Sequence, residues 1–92
     1  MVVTPYRDAL LALAGRFGAT DLRVFGSVAR GEAGPESDVD LLVRFEHPVG
    51  LFRRMELKEQ VEQLLGRKVD LATEGNLHWL IRPTVLAEAV PV

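Results

Sequence analysis

Two stretches decide how this chain is read: Val24-Phe25-Gly26-Ser27-Val28-Ala29-Arg30-Gly31 and Ser37-Asp38-Val39-Asp40-Leu41-Leu42-Val43. The first is the end of an apolar strand running into Gly-Ser. Gly26 lets a backbone approach a ligand closely. Backbone N–H groups at the start of a short helical turn over Val28–Gly31 favour an anion, and the Ser27 hydroxyl adds a donor. Arg30 can bring a planar fork of donors to a phosphate. A plain turn with Ser27 as a helix cap is the other reading of this stretch.

The second stretch opens a strand over Asp38–Glu46. Side chains at i and i+2 of a strand share a face, roughly 6.5–7 Å apart. Asp38, Asp40, Leu42 and Arg44 therefore lie on one face, and Val39, Leu41, Val43 and Phe45 on the other. Two like charges on one face repel. A divalent cation between them reverses that cost and keeps positions open for water and phosphate oxygens, as Mg²⁺ prefers. Two solvated acids on an exposed edge are the alternative.

Outward from this centre the chain alternates helix and strand. Pro5 opens a helix whose face carries Tyr6, Leu10, Leu13, Ala14 and Phe17, with Gly18 at its end. Asp21–Phe25 is the first strand. Glu32–Ser37 is a Gly-Pro loop. His47-Pro48-Val49-Gly50 breaks the second strand. Leu51–Leu65 is a helix with Leu57, Val61, Leu64 and Leu65 as its stripe and Gly66 as its stop. Lys68–Ala72 is a third strand, on which Asp70 faces away from Val69 and Leu71. If strands two and three are neighbours, Asp70 can face the site of Asp38 and Asp40. Leu77–Ala89 is helical in pieces, interrupted by Pro83. Val90–Val92 is a last short strand or a loose tail. The fold class is α/β, with helices packed on a small sheet, in one domain over residues 1–92. The element order leaves strand directions open.

Composition sets limits. The chain has 92 residues and no cysteine, so any metal is held by oxygen or imidazole. A net charge of −2, from 11 basic and 13 acidic residues, argues against a domain that grips extended nucleic acid. One bound nucleotide needs only a few local charges. Met1–Asp8 lacks the basic start and apolar run of a signal peptide. No apolar run approaches the roughly 18 residues of a membrane span. A cytoplasmic protein is expected. His47 and His78 read as turn residues, and Trp79 as a half-buried packing residue.

The joint pattern, Gly-Ser, ten residues, then Asp-x-Asp, resembles the nucleotidyltransferase signature of the DNA polymerase beta superfamily. Its Ala-Arg-Gly and Ser-Asp-x-Asp-Leu spellings resemble the minimal, antitoxin-type branch, often encoded beside a HEPN-domain protein. The resemblance runs over essentially the whole chain and implies the nucleotidyltransferase fold with a small mixed β-sheet. It implies that Gly26, Ser27 and Arg30 hold the triphosphate of ATP. Asp38 and Asp40 would hold two Mg²⁺ ions. Asp70 would complete the metal site and help deprotonate the acceptor. The implied activity is Mg²⁺-dependent transfer of AMP to a hydroxyl of a HEPN-type toxin, releasing pyrophosphate. The alternative is a non-catalytic antitoxin that masks its partner. The apolar segment Leu77–Val92 is expected either to close the core or to form an interface, in a homodimer or with the HEPN protein.

Overall fold

The computed structural model describes residues 1–92. A 3₁₀ turn at Thr4–Tyr6 leads into α1 (Arg7–Arg16). Then come β1 (Ala19–Phe25), α2 (Gly26–Ala29), β2 (Val39–Phe45), α3 (Leu51–Leu65), β3 (Val69–Ala72), a second 3₁₀ turn at Glu74–Asn76, α4 (Arg82–Glu88) and β4 (Val90–Pro91). The sheet order is β3-β2-β1-β4. β1 runs antiparallel to β2 and β4, and β2 runs parallel to β3. The sheet is therefore mixed. The parallel pair needs a long crossover, which α3 supplies.

Strand alternation sorts the two faces. Leu22, Val24, Val39, Leu41, Val43 and Val69 point to one side and are buried there. They join Leu10, Leu13, Ala14 and Phe17 of the first helical segment, and Leu57, Val61 and Leu65 of α3, in the main core. Each such aliphatic side chain contributes roughly 1.5–3 kcal/mol on burial. Gly66 ends α3 with φ of 67° in the left-handed region, and its N–H returns to the Glu62 carbonyl at 2.8 Å.

The opposite face carries Phe25, Asp40, Leu42, Asp70 and Ala72. Here α4 packs, with Leu42, Leu77 and Val85 buried together and Phe25, Ala72, Leu86 and Ala89 around them. Pro83 does not interrupt this helix as the sequence suggested. It sits in the first turn, where a missing N–H costs nothing. The C-terminus is a strand and not a loose tail: Arg23 pairs with Pro91 and Val24 with Val90. Val92 packs against the main core.

Leu41 is fully buried in the middle strand of the core. Leu41→Ala should cost about 3 kcal/mol of unfolding free energy, within the usual range for a buried leucine. Urea denaturation with an unchanged slope would confirm it.

Candidate active site

The acids assemble through strand register. Phe25, the last residue of β1, lies opposite Asp40, and Asp40 lies beside Asp70 on the parallel neighbour. Asp40 and Asp70 thus share the α4 face at matching positions on adjacent strands. Asp38 immediately precedes β2. Asp40 is half-buried, whereas Asp38 and Asp70 are exposed. The Asp40 carboxyl is pushed above the usual carboxylate range. Burial is the largest cause, followed by the charges of Asp70 and Asp38 and a hydrogen bond with Asp70. The positive charge of Arg30 works the other way. The three acids do not form a closed three-ligand metal cluster as their side chains stand.

Gly26 meets Asp40 from the adjoining strand end. Its φ is 72°. A Cβ there would lie 3.1 Å from Asp40 Cγ and nearer still to Oδ2. Both the backbone conformation and the space require glycine. The turn that follows is α2, which starts at Gly26, two residues before the turn expected from sequence. Val28 anchors it in the main core. Arg30 closes it, with its N–H on the Gly26 carbonyl at 3.1 Å. The Arg30 side chain is exposed, and its Nε donates to Glu32 Oε1 at 2.6 Å.

The loop that delivers Asp38 is pinned from below. Ser37 Oγ accepts the Gly34 N–H at 2.8 Å. Arg67 Nη1 donates to the Gly34 carbonyl at 2.8 Å and lies 3.4 Å from that of Ser37. Val39 N–H donates to the Lys68 carbonyl at 2.9 Å. A hollow of about 250 Å³ lies beside Asp38, between this loop and Gly66–Lys68. A second cavity, of about 460 Å³, sits at the far end of β2, next to Arg44, His47, Arg54 and Glu74. It reaches none of the residues expected to bind nucleotide or metal. There Glu74 accepts from Arg23 at 3.0 Å and from Arg44 at 3.2 Å. These bonds, Arg44's first, hold its carboxyl below the usual range.

The sequence profile of the nucleotidyltransferase domain matches residues 7–92. The chain belongs to the nucleotidyltransferase family. It is 49% identical over 77 residues to the protein adenylyltransferase MntA of Thermococcus cleftensis, covering 84% of this chain and 78% of that one. A solved structure assigned to the minimal nucleotidyltransferases is 48% identical, with a TM-score of 0.86, covering 98% of this chain and 92% of the other. A chain from the complex of tri-AMPylated Shewanella oneidensis HEPN toxin with MNT antitoxin shares the fold at 17% identity and a TM-score of 0.74. That match covers 99% of this chain and 71% of the other.

Two residues beside the candidate site carry no signal in the sequence. Arg67 stands there only as part of the approach to the third strand, yet it pins the loop that delivers Asp38. Glu88 has no motif around it, yet its carboxylate accepts from Gly26 N–H and from Arg30. Nothing local marks either one, because each acts on residues at least 30 positions away.

Gly26→Ala should destabilise the protein by about 2 kcal/mol or more. The left-handed conformation alone accounts for 1–2 kcal/mol, and the collision with Asp40 adds to it. A chemical denaturation midpoint equal to the parent's would contradict this. In metal-free protein the folded state holds Asp40's proton more tightly than the unfolded chain does. Asp40 therefore stabilises the fold below the ordinary carboxyl range, and that contribution is lost as pH rises through its raised folded value. Asp40→Asn should raise the metal-free melting temperature at pH 7, with the gain shrinking towards pH 4. Thermal scans across that range in chelator would read it.

Proposed function

We propose that this chain transfers AMP from ATP to a hydroxyl of a HEPN-type partner protein, releasing pyrophosphate. The observation that carries the proposal is the convergence of Asp38, Asp40 and Asp70 beside the Gly26–Arg30 turn on one face of the sheet. A half-buried carboxyl beside Asp70 and within the field of Asp38 costs stability unless a cation offsets the repulsion. The all-oxygen donor set suits Mg²⁺. Asp38, Asp40 and Asp70 would hold the metal, which when bound offsets their repulsion and the negative charge of the triphosphate. Gly26 N–H, Ser27 and Arg30 bind and orient the phosphates. Asp70 takes the proton of the acceptor hydroxyl. The acceptor oxygen bonds to the α-phosphorus as the bond from that phosphorus to the bridging oxygen breaks, and pyrophosphate leaves. The name of the Thermococcus relative and the AMPylated toxin of the Shewanella complex both favour adenylyl transfer to a protein.

The partner surface follows from what the core leaves uncovered. The segment from Leu77 divides: Leu77 and Val85 are buried, while Trp79, Leu80 and Ile81 are 72%, 63% and 50% exposed. Trp79 stacks only on His78, with ring centroids 5.7 Å apart. The expectation of a half-buried tryptophan is corrected, because the turn before α4 points it into solvent. We assign Trp79–Ile81 to partner contact and Val90–Val92 to closing the sheet. Cytoplasmic residence goes with this reading, and no helix is long and apolar enough to cross a membrane.

Incubation with a HEPN partner and ATP labelled on the α-phosphate tests the chemistry. Label should enter the partner in the presence of Mg²⁺, and Asp38→Asn with Asp40→Asn should abolish it. Equal labelling by the double variant and the parent would sink the catalytic reading and leave the masking antitoxin. Trp79→Ala with Ile81→Ser should weaken the complex roughly tenfold or more, as loss of an aromatic anchor does, with nucleotide affinity unchanged. Light scattering and nucleotide titration of the same variant would check both halves.

A further inference from the structure

Two of the three groups assigned to the triphosphate, Gly26 N–H and Arg30, already hold an anion in this structure. Glu88, at the end of α4, presents a single carboxylate oxygen to both of them. Its Oε1 accepts from Gly26 N–H at 2.5 Å and from Arg30 Nη1 at 2.8 Å. The side chain is only 18% exposed, so it is held in place by its surroundings. Carboxylate and phosphate oxygens take the same donors at the same distances. A backbone N–H has one hydrogen and cannot serve two anions fully.

We propose that Glu88 is an intramolecular competitor for the triphosphate, and so sets the affinity of the nucleotide site. This rests on the reading of Gly26 and Arg30 as phosphate ligands. A phosphate brought against a fixed carboxylate is repelled, so the carboxylate withdraws as nucleotide enters. The exchange is local. Ala89 after it is already extended, and β4 stays paired with β1, so rotation of one side chain frees both donors. Glu32 differs: it touches Arg30 but not Gly26, and it is 61% exposed. A closed state lowers apparent affinity by the fraction of time the site is open.

Calorimetric titration of the full chain with Mg²⁺ and a non-hydrolysable ATP analogue tests this. Glu88→Gln keeps the shape and the acceptor but removes the charge. It should bind roughly tenfold tighter than the parent, the size expected when one charge-assisted hydrogen bond need not be broken. Glu88→Asp, too short to reach both donors, should also tighten binding. Glu32→Gln should change it less than either. In the parent chain, the Glu88 side-chain carboxyl resonance should shift at saturating analogue, together with the Gly26 amide. Equal or weaker binding by both Glu88 variants would overturn the proposal, as would an unshifted Glu88 resonance in the complex. In either case a parent that binds the analogue keeps its nucleotide site. No binding by any of the chains would remove that site and the competitor with it.

Discussion

Asp40 packs its carboxyl against the bare Cα of Gly26, in a register that also sets Asp70 beside it. Much of the structure answers to that contact. β1 must end at Phe25, because the next residue has to turn with positive φ and carry no side chain. β2 must pair so that Asp40 and not Val39 faces this way. A slip of one residue would place Asp40 in the main core and Val39 in the site. The parallel pairing of β3, reached through the α3 crossover, then brings Asp70 to the matching position. Charge repulsion at the site is thus built into the backbone pairing.

The price of that arrangement is carried by apolar burial elsewhere. The main core lies wholly on the α1 and α3 side, away from the acids. The site face has only the small cluster of Leu42, Leu77 and Val85 to hold its covering helix. The helix beside Gly26 and Arg30 is therefore held by a smaller apolar cluster than the one that holds α1 and α3. Glu88 and the Arg23–Glu74–Arg44 bridges add polar ties on the same side.

The legible parts of the sequence were those with local causes. α3 matched its apolar stripe and stop signal from Leu51 to Leu65, since Gly66 and the Leu57–Val61 spacing act within a few residues. Asp38 and Asp40 were readable because strand alternation fixes faces. Pairing was not readable: alternation says which side a residue faces, and nothing about which strand lies next to it. Pro83 misled because proline ends a helix or begins one by the same missing N–H, and only the position of Arg82 in the first turn decides which. Nothing in the apolar run Leu77–Val92 marks where it divides: the turn at Trp79–Ile81 is exposed, whereas Leu77 before it and Val85 after it are buried. Glu88 and Arg67 stayed invisible for a plainer reason: a surface-type charged residue acquires its role from a partner that only the folded chain brings near.

The sheet's two margins differ in a way that bears on how copies of this protein coexist at high concentration. On the β4 side, Val92 N–H donates inward to Leu22 at 3.2 Å. Alternation then turns the nitrogen of Pro91 outward, where it has no hydrogen to offer. A strand arriving there would find one rung of the ladder missing. On the other margin β3 is four residues long, with Lys68 before it and the charged Asp70 within it. Short, charged or proline-bearing borders discourage ribbon-like stacking between molecules. Both borders of this mixed sheet are thereby poor templates for edge-to-edge pairing.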